Sequence, residues 1–422
     1  MATTSISEVF TPRNAEVNLP MYVPRLKLES ALLDSLQGSM HTLVFGESGN
    51  GKSWLYKKVL DQNNIGYAIA NCGSASRKKS LTDEIRSVLV PEGTADKTGY
   101  TEGKDAGINA GFASAKVEHK GQFNIQQPDP LLHALEKFSA KRAGKLSVLV
   151  LDNLESIFAR PELMDELADI IILLDDSRFA KLKVKILIVG TPTGVLDYFS
   201  RTKNLEAVSN RVEEIPKVGS LSEAMVRTLV SRGFNDQLRF GLSKTELDSI
   251  SDRVHHVTLG VAQRIHEYCA KLAKLVLDAR AKFDAELLKK ADRDWLVVGL
   301  RQSYAVVESH LNSKRTAVGR RNQVIYCIGH LHLHQFDSND IRDRLQETFP
   351  DTVAKNHMGI GSILSDLASG TNALLSKNLS TSEYRVLDPR YLMCIRVMLW
   401  FDQETKTLQK GNFQVWAAPN DA

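Results

Sequence analysis

The sequence predicts an α/β protein: a mostly parallel sheet with helices on both faces comes first, helical text follows, and a last unit reads as three helices and a hairpin. Three observations support this. Short apolar runs alternate with segments of helical periodicity as far as Pro216, as in a sheet buried on both faces. One of these runs, His41 to Phe45, leads straight into Gly46-Glu47-Ser48-Gly49-Asn50-Gly51-Lys52-Ser53. Beyond Pro216 no further central strand is evident, and residues 221 to 285 carry apolar side chains at helical spacing.

In order, residues 1–37 are an N-terminal segment and lead-in helix. Pro24 marks a stop, leucines at 26, 28, 32, 33 and 36 give one apolar face, and Gly38 ends the helix. Residues 38–218 form the core, with further strands at Tyr67 to Ala70, Leu146 to Leu151 and Val184 to Val189. Inside it, residues 91–130 are polar and punctuated by glycines at 93, 99, 103, 107, 111 and 121, which predicts an insertion with a hairpin around 107–118. Residues 219–285 read as a helical lid, through Leu221, Met225, Leu229, Val261, Ile265, Tyr268, Leu272 and Leu275, and 286–319 as a helical linker. Residues 320–422 begin with helical text at 323–334, a capped helix from Ser338 and another near 356–368. Leu374 to Ser376 and Tyr384 to Leu387 then pair across a turn-like stretch, the outline of a winged helix.

Composition narrows the class. At 422 residues two or three domains are expected, and 43% hydrophobic with 25% charged residues argues against disorder, a fibrous repeat or a membrane protein. A net charge of +4 neither announces nor excludes nucleic-acid binding. Cys72, Cys269, Cys327 and Cys394 form no CxxC pair, so reduced, buried thiols are expected. No basic and apolar leader opens the chain and no apolar run spans a bilayer, which places the protein in the cytoplasm without a membrane partner.

A strand, a glycine-rich loop and a helix in this order make a P-loop. Its backbone N–H groups must converge on phosphates, so Gly46, Gly49 and Gly51 supply conformational freedom, and the helix end adds its dipole. Lys52 is expected to bridge the β- and γ-phosphates of ATP and Ser53 to ligate Mg2+. Glu47, Ser48, Asn50 and, at the helix start, Trp54 are grouped with the loop as nucleotide-binding residues. The acid completing the metal site is Asp152, at the end of the run Leu146 to Leu151. Asn153 follows in place of a second acid; the nearest glutamate, Glu155, is either the base that orients water or a solvated helix-start residue. Thr191, at the end of the strand 186–190, either senses the γ-phosphate or caps a turn.

The order of parts over roughly residues 20 to 275 resembles the AAA+ ATPases and their STAND relatives, of the origin-recognition kind. Val23-Pro24-Arg25 with Glu29 is similar to the box in which an arginine neighbourhood meets adenine. Ser209 to Pro216 resembles the segment that carries an arginine finger; Arg211 is the matching position and Arg201 the second, which implies a homo-oligomer. Gly260 to His266 resembles the lid-helix start carrying sensor 2, with Gln263 at the arginine's usual place and Arg264 one residue on. Leu149 to Glu155 resembles the magnesium-binding strand of STAND proteins more than the Asp-Glu pair of motor-type AAA+ enzymes, which implies a slow nucleotide switch. Tyr384 to Leu392 is similar to the wing and following helix of Orc-like ATPases.

From residue 312 onward there are 13 Lys and Arg against 11 Asp and Glu, weak for a dedicated DNA-binding domain, although Lys314-Arg315 and Arg320-Arg321 form a local basic cluster. His330, His332 and His334 spread around a helix rather than share a face, which disfavours a metal site. The expected function is an ATP-dependent, slowly hydrolysing switch. Its partner is an effector protein, in bacterial defence or a mobile element, or DNA. The alternative is a DNA-binding loader or remodeller of the replication-initiator or transposition-helper type.

Overall fold

The computed structural model describes residues 4–90, 129–142, 145–190, 205–312, 319–331, 333, 335–352 and 359–411. The expected hairpin at 107–118, Thr191, Arg201, Lys314, Arg315, His332 and His334 lie outside them. The chain divides into two units, Pro24–Gly219 and Met1–Val23 with Ser220–Ala422. The first 23 residues thus belong with the C-terminal half, whereas the lead-in helix Leu26–Gln37 belongs with the core.

In the unit Pro24–Gly219, five parallel strands run in the order β2-β3-β4-β1-β5: β1 is His41–Phe45, β2 Gly66–Asn71, β3 Ser147–Asp152, β4 Val184–Gly190 and β5 Val212–Glu214. The inner strands β3 and β4 are apolar almost throughout because helices cover both faces. The period of two splits their side chains into two cores. Leu43, Leu149, Leu151, Ile186 and Ile188 pack with the helices Leu81–Leu89, Pro130–Ala140 and Pro161–Leu173. Val44, Val148, Val150, Leu187 and Val189 pack on the other side with Leu26–Gln37 and Lys52–Gln62.

The lead-in helix starts at Leu26, the first of the leucines that form its apolar face. Pro24 cannot donate a backbone hydrogen bond, and the backbone N–H of Arg25 donates to Glu29 Oε1 at 2.7 Å.

The second unit holds one continuous apolar core. Its N-terminal strap is anchored by Val9, Phe10 and Met21; the Phe10 ring lies 5.4 Å from that of Phe234 and 6.1 Å from the His266 imidazole. The predicted lid text forms the helices Glu223–Ser231, Lys244–Thr258 and Ala262–Asp278, and Ala285–Gly299 and Arg301–His310 follow. Farther on come Arg320–His330, Ser338–Thr348 and Ile360–Leu367, then the antiparallel pair β6 (Leu375–Lys377) and β7 (Tyr384–Val386), registered through Ser376 and Arg385. The helix Pro389–Met398 and a second hairpin, β8 (Leu399–Asp402) with β9 (Thr407–Lys410), complete the described part. This second hairpin was not legible, because Leu399 to Asp402 continues the apolar text of the preceding helix without a glycine or proline break.

The basic pair Arg320-Arg321 does not form a free phosphate grip. Arg320 donates to Thr352 O and Gln323 Oε1, and Arg321 to Asp366 Oδ2 and His310 O. His330 stacks on Tyr326 at 4.1 Å, and no metal-binding cluster occurs among the described residues. The four cysteines are free and buried. No helix among the described residues is long and apolar enough to cross a membrane.

Candidate nucleotide site

The carboxyl ends of β1 and β3 face the start of the helix Lys52–Gln62, the usual crevice for a ligand in an open parallel sheet. The loop between β1 and that helix is shaped by glycine. Gly49 and Gly51 adopt φ values of 85° and 86°, in the left-handed region, and a Cβ on Gly46 would meet the carbonyl oxygen of Val218 at 2.3 Å. Val218 in turn is fixed by donating its N–H to Phe45 O at 2.8 Å. The segment after β5 thus forms the floor of the loop.

Arg25 holds the loop from its side. Its guanidinium donates to Asn50 O at 2.8 Å and to Gly219 O at 2.9 Å, joining the loop to the segment after β5. Asn50 is buried and donates through Nδ2 to Val218 O at 3.3 Å. Arg25 was expected beside adenine. Its guanidinium contacts backbone carbonyls, and Glu29 accepts the backbone N–H of Arg25.

Lys52 folds back on its own loop, donating to Gly46 O at 2.8 Å and Glu47 O at 3.2 Å. Burial lowers its pKa, against the opposing pull of Glu155, Asp152 and Glu47 in that order. Glu155, on the turn Leu154–Ile157, is therefore near enough to act on the ammonium electrostatically. Glu47 is also paired with Lys217 at 3.4 Å.

Asp152 ends β3 opposite Asn71 of β2. Its Oδ1 accepts the N–H of Asn153 at 2.8 Å, and Asn153 adopts a left-handed φ of 60°. Its Oδ2 lies 3.5 Å from Ser53 Oγ and accepts the hydroxyl of Tyr56 at 3.1 Å. Ser53 and Asp152 thus meet across 99 residues of chain. Two oxygen donors beside a cradle of backbone N–H groups suit Mg2+, which keeps several waters and takes its remaining ligands from phosphates.

Tyr56 escaped the sequence reading. Its signal was position: three residues after Ser53 on a helix puts it over the same face. Ser48 is exposed on the loop, and Trp54 is half-buried on the helix.

Two further expected residues have partners of their own within their units. Arg211 lies at the amino end of the sheet, where its carbonyl accepts the N–H of His41 at 2.7 Å, so the length of β1, about 13 Å at roughly 3.3 Å per residue, separates that level from the loop. Its guanidinium donates to Asp175 at 2.5 Å and to Ala207 O at 2.7 Å. Arg264, in the other unit, pairs with Glu267 at 2.7 Å, and Gln263 donates to the same carboxylate at 3.0 Å.

Residues 35–199 match the family model described as AAA domain. No curated protein matches. Among solved structures, the Walker-type ATPase PABY2304 of Pyrococcus abyssi is similar at 15% identity and TM-score 0.49, over 89% of this chain and 96% of that one. The Aeropyrum pernix ORC2 protein in its ADPNP–ADP complexes is similar at 15% identity and TM-score 0.47, over 89% and 94%. The Aeropyrum pernix ORC1 protein in complex with DNA follows at 12% identity and TM-score 0.43, over 93% and 96%. From the matched family, the parallel sheet and the loop that ends β1, residues 35–199 are an AAA domain built on the P-loop NTPase fold.

Proposed function

We propose that the protein binds ATP with Mg2+ at the loop 46–53 and works as an ATP-dependent switch with slow turnover. One observation carries the reading: Ser53 Oγ and Asp152 Oδ2 converge to 3.5 Å at the mouth of a glycine-shaped loop that already holds Lys52. In this reading Lys52 leaves the carbonyls of Gly46 and Glu47 for the phosphates. Ser53 and Asp152 hold Mg2+, which supplies charge neutralisation at the phosphates. Slow turnover follows from Asn153, since the position after Asp152 offers no carboxylate, and in this reading the orienting of water falls to Glu155, three residues on. ATP shifts the switch only through contacts that differ between its states, and the side chain of Lys52 is the group with two sets of partners.

For the partner we favour DNA over an effector protein. β6 and β7 project Lys377 and Arg385 into solvent, and Leu379, at the tip between them, is 89% exposed. Cations with an apolar tip suit a groove and its phosphates. The helix Ile360–Leu367 before the hairpin carries no Lys or Arg, so the hairpin rather than this helix would make the phosphate contacts. Arg211, held in a partly exposed ion pair at the amino end of the sheet, is the candidate to complete a neighbouring copy's site in a homo-oligomer.

One experiment tests both parts. Lys52→Ala should weaken ATP affinity by at least about 30-fold, because truncating one partner of a desolvated charge pair costs roughly 2–5 kcal/mol. Unchanged affinity sinks the site. In the same cuvette, labelled duplex DNA should bind the wild type with an affinity that falls steeply as salt rises. No binding with or without ATP rejects DNA and leaves the effector.

A further inference from the structure

Asp152 has two oxygens and one is anchored by its own neighbour: Oδ1 takes the Asn153 N–H at 2.8 Å. The other, Oδ2, faces Ser53 and is contacted at 3.1 Å by the hydroxyl of Tyr56. Tyr56 is 1% exposed, and its ring packs in the apolar layer with Leu36, Val59, Val148 and Val189. A buried ring has little freedom to turn, so its hydroxyl is a fixed donor. The Asp152 carboxylate is thereby held at both ends, and its orientation toward Ser53 is set before any ligand arrives. Phe at position 56 would present the same ring to the layer, so packing does not explain the hydroxyl.

We infer that Tyr56 is a positioning residue, which fixes the Asp152 carboxylate so that the pair Ser53–Asp152 is preorganised for a nucleotide-bound divalent cation. The inference rests on the ATP and Mg2+ reading above and adds to it the residue that sets how much Mg2+ the site requires. Groups that orient a metal-binding carboxylate typically change metal affinity by 10- to 100-fold when lost.

The test is Tyr56→Phe in the full chain, with a fluorescent ATP analogue titrated in EDTA and then at rising Mg2+. Affinity in EDTA should match the wild type, and the Mg2+ concentration giving half of the metal-dependent gain should rise about 10-fold. Paramagnetic Mn2+ titrated into the nucleotide complex should show the same weakening. In an Asp152→Ala background Tyr56→Phe should have no further effect, because Tyr56 acts through that carboxylate. An unchanged Mg2+ midpoint overturns the inference while leaving the site intact, as does an effect that persists without Asp152. Equal loss of affinity in EDTA and in Mg2+ assigns Tyr56 to packing alone and also overturns it. A wild type that binds no nucleotide overturns the inference together with the reading beneath it.

Discussion

The two ends of the parallel sheet make an instructive pair. Both hold a lysine whose pKa is lowered by desolvation: Lys52, half-buried at the carboxyl end, and Lys185, buried at the amino end. Lys185 is a finished structural group. It donates to Ser35 O and Gly38 O at 2.9 and 2.5 Å, closing the C-terminus of the lead-in helix, where a cation suits the dipole. Beside it His41 accepts the N–H of Ile186, and Arg211 is held by Asp175. Lys52 borrows two carbonyls of a loop that glycine has shaped for something else, and the carboxylates of Glu155, Asp152 and Glu47 surround it. A burial-shifted lysine therefore does not by itself mark a site. What distinguishes the carboxyl end is a set of donors with provisional partners.

The largest effect that would sharpen this contrast is Gly46→Ala. The new methyl would sit 2.3 Å from a backbone oxygen, Val218 O, which cannot move without pulling the segment after β5. We expect a loss of about 3 kcal/mol, at the upper end for overpacking, and no measurable nucleotide binding. A variant with normal stability and ATP affinity would break the account of the loop's floor.

Next is acid. Burial lowers the His41 pKa to about 4, with Lys185 and Arg211 adding to the effect and Asp175 opposing it. The native state keeps this imidazole neutral while the unfolded chain protonates it near pH 6.5, so its contribution is complete above pH 6.5 and is lost as pH falls toward 4. At about 1.4 kcal/mol per pH unit this one group removes roughly 3 kcal/mol. Denaturant melts of wild type and His41→Asn between pH 7.5 and 4.5 should show a shallower acid decline for the variant. Parallel curves would refute the assignment.

The smallest effect on folding is expected at Arg211. Its ion pair with Asp175 is partly exposed, so Arg211→Ala should cost at most about 1 kcal/mol of stability. Turnover should nevertheless fall if Arg211 serves a second copy, and wild-type turnover per chain should rise with protein concentration. Turnover independent of concentration in both proteins would return Arg211 to a purely structural place at the amino end.

Much of the fold was legible because its signals are local. The run from His41 ends in the apolar residues Leu43, Val44 and Phe45, Gly46, Gly49 and Gly51 follow in a fixed pattern, and a helix begins at Lys52; no distant residue is needed to read them. Asp152 was found by the same logic, as the polar residue that ends a buried strand. Boundaries were less legible where the text has no break, as at Leu399, where the helix Pro389–Met398 gives way directly to β8. The N-terminal strap carries no periodic pattern, because it is held by side chains such as Phe10 entering gaps between helices more than 200 residues away.

The sequence by itself determined the phosphate loop, its lysine and serine, the acid that faces them and the alternation that makes the sheet. Each depends on residue type and on spacing within one strand or turn. Tertiary structure alone decided the rest. Arg25 reaches the loop's carbonyls, Val218 backs Gly46, and Tyr56 turns its hydroxyl to Asp152. It also decided that Lys185 closes a helix whereas Lys52 donates to carbonyls of its own loop. The pairings of Arg25 join residues 25 and 194 positions apart, and only the packing of the sheet against its helices sets those distances.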